Sequence, residues 1–354
     1  MTVESKKVSY PIDAVLIGGQ VATIEIKKGL AADLSSSTLS GTMIFPAAPT
    51  DRAQHIIHAP PFKAIRLVPG TGDPLVSIQE AQHYHRMMRS VRTKMLGLPA
   101  PKFEEGTSLV TKYDEDFELI SRPPGSEAFK VEFKIKLSTL GQHTLFESEG
   151  WSFDQVTRLS LTVPASTELL WNSTDVVDSQ VGAVLQQGVN VSLSNLRLDL
   201  TLLDAEARDV AVDEARLIRQ IPYLLDDHRD LTISNPYTDV IALPDWLTSK
   251  EIYWTLSGDR RPWRLHDYRN KQPIDPSTVE IKAFYERIKV HRTSLEVECK
   301  TASLRTVATI EKGGYHHDRF VNEVLDGHYV ISSHLNCTEP LTLHIYILCE
   351  TNAT

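Results

Sequence analysis

The residue types able to do chemistry gather at a few places in this chain. HYH, at His83–His85, offers two imidazoles. Residues two apart on a helix project about 200° from one another, so one face cannot hand both to a metal. His316 and His317 stand beside Asp318, a donor set that a transition metal accepts. That cluster lacks a second group at ligand spacing, and after Gly313–Gly314 it reads as an exposed polar turn. DDHRD (226–230) gathers acids around a histidine and reads as a solvated loop between a helix and a strand. Cys299, Cys337 and Cys349 read as small core or strand residues, Cys299 on the apolar side of an alternating strand. Trp151, Trp171, Trp246, Trp254 and Trp263 would stack ligands if they met, but their wide spread reads as separate core anchors.

Motifs that announce a cofactor are missing from the sequence. It holds no Walker-type phosphate loop, no Gly-x-Gly-x-x-Gly after a strand and no Gly-x-Ser-x-Gly elbow, and Gly18–Gly19 reads as a turn. No catalytic, cofactor-binding or metal-ligating residue is therefore assigned, and the expectation is a protein that is not an enzyme. The 354 residues carry 37 Lys and Arg against 46 Asp and Glu, a net charge of −9, with no basic block. That argues against coating nucleic acid through a basic surface. The first residues, MTVESKKVSYPIDAVLIGG, lack the apolar stretch of a secretory signal, and no run approaches the roughly eighteen apolar residues that span a bilayer. An odd, scattered set of three cysteines fits synthesis in a reducing, intracellular setting. The sequons at Asn172, Asn190, Asn336 and Asn352 then read as chance matches.

The elements that must position these residues are mostly strands. In FKVEFKIKL (129–137), Phe129, Val131, Phe133, Ile135 and Leu137 face one way, and Lys130, Glu132, Lys134 and Lys136 the other. Shorter alternations fall at 21–26, 65–68, 159–163, 279–288, 295–299 and 341–347, separated by turns such as PGTGDP (69–74), RPPGSE (122–127), SGDRRP (257–262) and EKGG (311–314). Many short strands with Pro/Gly punctuation predict antiparallel sandwiches or barrels, not βαβ units. Two helices interrupt them. SIQEAQHYHRMMRSVRTKML (77–96) opens with Ser77 and Glu80 as a capping box and carries a stripe of Ala81, Tyr84, Met88, Val91 and Met95. The second runs from an Asp204 cap to Pro222, directly after the strand at 196–202. Each half of the chain thus carries a strand-then-helix unit. This gives two similarly built β domains meeting near VPASTELLW (163–171), with one large β domain bearing two helical insertions as the alternative.

The order of these elements resembles the double jelly-roll major capsid proteins of icosahedral DNA viruses and of tailless, membrane-containing phages. In the larger eukaryotic viruses of that group, a strand of the second roll runs into a leucine-aspartate … glutamate-arginine turn. A helix ending in leucine-isoleucine-glutamate-glutamine follows, then a strand with asparagine-histidine-proline-valine ahead of a tryptophan. This chain has LTLLDAEARDVA, EARLIRQ and LTISNPYTDVIALPDW in that order. It departs at Arg219, which replaces the acid before Gln220, at Tyr237, which follows Pro236 in place of an apolar residue, and in lacking the histidine before the proline. In the first half, LSGTMIFPA, FKAIRLVPGTG and the 77–96 helix resemble the first roll, and FKVEFKIKLSTLG with FDQVTRLSLTVPA resembles the strands that close it.

The resemblance implies an all-β, mainly antiparallel fold of two tandem jelly rolls side by side, residues 1–165 with a helix at about 77–96 and residues 166–354 with a helix at about 204–221. It implies a major capsid protein whose homotrimer forms a pseudo-hexameric capsomer that tiles an icosahedral virion shell. Its partners would be neighbouring capsomers, penton and minor capsid or cement proteins, with an internal membrane vesicle beneath and no sequence-specific nucleic-acid binding. A virion spike or cement protein, or a cellular sandwich-type binding module, is the competing reading, with RRPWRLHDYRN (260–270) as its recognition loop. An enzyme of dispersed residues, starting from His316, His317 and Asp318, is the third.

Overall fold

The computed structural model describes residues 6–57, 61–90, 104–105, 112–114, 119–173, 183–186, 188–204, 208–209, 221–231, 237–242, 244, 246–258, 279–285, 315–319, 327–333 and 341–351. Strands dominate and every registered pair among them is antiparallel. The chain separates into two compact units, one of Met1–Arg89 with Pro99–Leu217 and one of Ser90–Leu98 with Ile218–Thr354.

In the first unit the widest sheet runs β1 (Lys7–Ile12), β16 (Ser192–Leu202), β4 (Ala31–Phe45), β11 (Phe129–Lys136), β8 (Glu104–Glu105), with β2 (Leu16–Ile17) beside β16 and β12 (Trp151–Ser152) beside β4. A second sheet runs β3 (Val21–Ile26), β13 (Thr157–Thr162), β6 (Ala64–Pro69), β7 (Val76–Ile78). A third runs β15 (Ala183–Leu185), β14 (Leu170–Ser173), β5 (Gln54–Ile57), β10 (Leu119–Arg122), β9 (Lys112–Asp114). The helical pieces are α1 (Ala81–Ser90), α2 (Leu137–Leu140), α3 (Ser166–Leu169) and a 3-10 turn at Leu145–Glu147.

The period-two patterns place the core. Ala22, Ile24 and Ile26 of β3 are buried while Val21, Thr23 and Glu25 are exposed. In β11, Phe133 and Ile135 are buried and the four polar residues between and beside them are exposed. Leu196, Leu198 and Leu200 of β16 are fully buried, each contributing about 1.5–3 kcal/mol through removal of apolar surface from water. Phe62 meets Phe133 edge to face with ring centroids 6.1 Å apart. Opposite Phe133 in register stands Gly41, where a Cβ would lie 2.8 Å from the ring and 3.2 Å from Leu193 Cδ1. The missing side chain makes room for the aromatic one.

Two irregularities bend the central strands. Between Asp199↔Thr38 and Thr201↔Asp33, residues 34–37 of β4 stand against Leu200 alone. Asp33 holds this bulge together, accepting hydrogen bonds from the Ser35 and Ser36 hydroxyls at 2.7 and 2.6 Å. The Ser37 hydroxyl donates to Asp33 O, and accepts from the Thr201 N–H on the neighbouring strand at 3.1 Å. In β16 the register shifts between Ser194 and Arg197, where Asn195 takes φ 53°, a left-handed conformation that asparagine tolerates better than most residues.

The second unit holds two sheets among its described residues. One runs β17 (Pro222–Leu231), β23 (Leu341–Thr351), β19 (Leu247–Gly258), β21 (Tyr315–Arg319). The other runs β18 (Tyr237–Ala242), β22 (Gly327–Ser333), β20 (Val279–Tyr285). Ile345, Tyr346, Ile347 and Leu348 of β23 are all buried, so both faces of this strand are covered.

The structure differs from the sequence reading at several elements. The first helix starts at Ala81, not Ser77, because Ser77 pairs with Arg66 in a strand whose Val76 and Ile78 are buried. The Ala81 N–H donates to Lys63 O at 2.7 Å, and the first turn closes from Tyr84 N to Glu80 O at 2.9 Å. Residues 91–96 lie outside the described residues, as does most of the second helix, of which Arg208 N donates to Asp204 O at 2.8 Å. Pro222 opens β17, and DDHRD lies inside that strand, paired from Asp226↔Tyr346 to Asp230↔Thr342. His316, His317 and Asp318 likewise sit in β21, opposite Trp254, Tyr253 and Ile252, where a turn was expected. The pairing of β16 with β1 and β4 carries residues 192–202 in the first unit.

Filling the space beside Phe133 tests the packing at the sheet centre. Gly41→Val is expected to cost about 1–3 kcal/mol by overpacking, read as a lower midpoint in chemical denaturation.

Candidate functional site

Among the described residues, those singled out for chemistry do not assemble into a site. His83 and His85 are both buried on α1, at 3% and 2% exposure, on either side of Tyr84, whose hydroxyl donates to Gln142 O at 2.8 Å. With Ala81, Met87 and Met88 also buried, α1 is enclosed around much of its girth. Cys349 is buried in β23, and burial pushes its thiol up to about 12, so it stays protonated and poorly nucleophilic at neutral pH. Cys299, Cys337, Trp263 and the 260–270 loop lie outside the described residues. Trp151, Trp171 and Trp254 are strand residues, and Trp246 packs edge to face on Tyr223 at 5.0 Å. Gly18–Gly19 is a turn: Gly19 has φ 84°, and a Cβ on Gly18 would lie 2.7 Å from the Ser166 N. Among the described residues, no three His, Cys, Asp or Glu side chains gather as a metal site, and no helix is long and apolar enough to cross a membrane.

The polar groups that do converge are structural. Arg122, at the end of β10, is buried and faces Gln54 of β5 in register. One guanidinium nitrogen donates to Gln54 Oε1 at 2.5 Å and to Pro46 O at 3.0 Å; the other donates to Ser126 O at 3.2 Å and to Glu127 O. Gln54 Nε2 in turn donates to Gln186 Oε1 at 2.6 Å. Burial pulls the guanidinium pKa down from the usual arginine value, yet arginine stays charged at neutral pH. The planar fork thereby fastens the 122–127 turn to the 46–49 segment, aided by Ala48 N→Ser126 O at 2.8 Å and Gly125 N→Pro49 O at 2.7 Å.

Lys63 makes a second junction. Its ammonium donates to Glu168 Oε1 at 2.5 Å and lies 3.9 Å from Glu80. Glu168 Oε2 accepts from the Ala165 N–H at 2.8 Å, at the start of α3. Burial acts to lower the lysine pKa, but the Glu168 hydrogen bond and the charges of Glu80 and Glu168 outweigh it and hold the pKa above its ordinary value. No sequence signal links residues 63, 80 and 168 or 54, 122 and 186, because each set meets only through tertiary pairing.

The widest sheet also presents an open face, and this one was legible in the alternation of β11. Residues directly paired across antiparallel strands point to the same side. One row therefore holds Pro11, Arg197, Ser40 and Lys134, with Glu104 at its end in register, and the next holds Ser194, Thr42 and Glu132. Lys130, Glu132, Lys134 and Lys136 are exposed, as are Lys7 and Arg197. Asp199 on the same face is buried and engaged, accepting from Arg197 Nε at 3.0 Å and from the Ser9 hydroxyl. At one end, Ile17 pairs with Ser192 on this side, and Ile17 and Val15 are exposed at 42% and 62%. A polar sheet face with an apolar end can bind a surface; it carries no reactive group.

No family model matches the chain, and no curated protein matches it. Solved structures do. The STIV MCP, from Sulfolobus Turreted Icosahedral Virus, is 12% identical at a TM-score of 0.50, over 98% of this chain and 97% of that one. The Faustovirus major capsid protein is 9% identical at a TM-score of 0.52, over 99% of this chain and 91% of that one. PBCV-1 VP54, in a structure fitted into a reconstruction of the virophage Sputnik, is 9% identical at a TM-score of 0.51, over 99% and 95%. The chain has the all-β, double jelly-roll fold of these major capsid proteins.

Replacing the buried fork separates its role from simple burial. Arg122→Met is expected to lower stability by about 2–4 kcal/mol, since several acceptors lose their donor, and Arg122→Lys is expected to restore less than half of that. The Lys63 junction has its own pH signature. Its raised pKa contributes stability that is fully present below about pH 10.5, the ordinary lysine value, and is lost as pH rises through the higher folded-state value. The thermal midpoint of wild type over Lys63→Met should accordingly shrink in that alkaline range and hold steady from pH 7 to 9.

Proposed function

We propose that this chain is the major capsid protein of an icosahedral DNA virus, a shell subunit that self-associates as a homotrimer with a pseudo-hexameric outline. The observation that carries this reading is the extent of the likeness: 98% of this chain overlays 97% of the STIV MCP, so the resemblance takes in the whole subunit and not one sandwich. Several features agree with it. The buried Arg122 junction and the half-exposed Lys63 junction brace strands and loops. Cyclic closure is also the usual way in which like subunits oligomerise.

In this reading the two compact units are the two rolls, with the division near residue 217 and residues 166–217 in the first. The protein resides in the virion, with penton and minor capsid or cement proteins as further partners. A membrane vesicle beneath the shell fits the net charge of −9, because a shell that does not condense the genome needs no basic arm.

Sedimentation equilibrium of the purified chain is expected to give three times the 39.7 kDa subunit mass, and negative-stain images to show six-cornered particles. A stable monomer at every concentration would overturn the proposal.

A further inference from the structure

We propose that the outer edge of β3 pairs with β3 of a second copy of this chain, antiparallel and across a two-fold axis. This goes beyond the shell-subunit reading: a three-fold closes the trimer, and a two-fold at β3 joins one trimer to the next.

The edge is open. β3 ends its sheet, and its strand partner is β13. In that register Gln20 falls opposite Val163, whose N–H donates to Gln20 O at 2.9 Å, so Gln20 is a hydrogen-bonded position. Bonded positions alternate along an antiparallel pair. The backbone of Ala22, Ile24 and Ile26 therefore turns toward β13, and that of Val21, Thr23 and Glu25 turns outward. Among the described residues, no backbone hydrogen bond reaches those outward groups. All three residues are exposed, Val21 at 54%.

The strand also lacks the usual guards. Among the described outer strands of the first unit, β1 carries Lys7 and Pro11, and the others are two or three residues long. β3 has six residues, with no proline, lysine or arginine and an unbroken register. Its one charge, Glu25, is met by Arg158 at 3.0 Å. A regular edge of this kind is a template for another extended backbone.

The sequence of β3 selects its own copy as that backbone. Pairing centred on Thr23 sets Thr23 opposite Thr23 of the second copy, a favourable cross-strand pair. Val21 then faces Glu25, so an exposed aliphatic side chain lies against methylenes and the two acids stay apart. On the buried side Ala22 faces Ile24, a small residue against a large one. All three outward residues of each copy exchange backbone bonds in this register. Centring on Glu25 would oppose like charges, and centring on Val21 would run the strand into the turn at Gly18–Gly19.

Sedimentation of the full chain as a function of concentration tests the pairing. Wild type is expected to double the mass of its smallest stable species as concentration rises. Thr23→Pro removes the outward N–H at the centre of the pair and no bond to β13, and should weaken doubling about tenfold or more. Thr23→Lys sets like charges opposite one another and should weaken it as far, which gives the same reading if the proline variant does not fold. Thr23→Cys is expected to form a disulfide between copies under mild oxidation. Val21→Cys is not, because its two copies stand about 13 Å apart along the pair. A wild type that never doubles, or a Thr23→Lys variant that doubles like wild type, overturns the edge pairing. Where the smallest species is a trimer, the shell-subunit reading still stands. A monomer that doubles only to a dimer overturns the trimer and keeps the edge pairing. Equal cross-linking by Thr23→Cys and Val21→Cys overturns the register and the proposal with it.

Discussion

Hydrogen bonding between strands remote in sequence closes the first unit. The Ser9 hydroxyl reaches the Asp199 carboxylate across 190 residues of chain, between strands paired from Lys7↔Thr201 to Ile12↔Leu196. On its other side β16 pairs with β4. One late strand therefore satisfies the backbone of two early ones, and its leucines supply buried surface at the sheet centre. The Asp33 bulge, the Gly41–Phe133 fit and the lysine-bearing face all depend on that insertion, because each is defined by register with β4 or β16.

How much of this could be read from the sequence follows from what each strand must bury. Strands such as β3 and β11 show clean alternation because one face is core and the other is not. The polar clusters DDHRD and HHD misled for the opposite reason. They fall on β17 and β21, the two outer strands of one sheet. An edge strand tolerates, and benefits from, charged residues that discourage further pairing, so its pattern looks like a loop. Ser77 misled because a serine followed by a glutamate three residues on marks a helix cap, while the neighbouring Val76 and Ile78 were already claimed by pairing with β6. Arg122, Gln54 and Gln186 had no signal at all, since a buried fork is recognisable only when its carbonyl acceptors are in place.

Fold and function were legible to different depths. The all-β class and the resemblance to shell proteins came from the order of elements, and structural overlay over nearly the full length agrees. The lysine-bearing face of the widest sheet has no motif. It was visible only as the unburied half of FKVEFKIKL, and it became a surface once register set Arg197 and Ser40 beside Lys134.

The place of β16 also orders events during synthesis. Residues 192–202 leave the ribosome after all the other strands of their sheet, and until they do, β1 and β4 lack the partner that lies between them. The sheet and its lysine-bearing face are therefore incomplete on a nascent chain until residues 192–202 emerge. Topology alone thus makes closure of the first unit a late event in its synthesis.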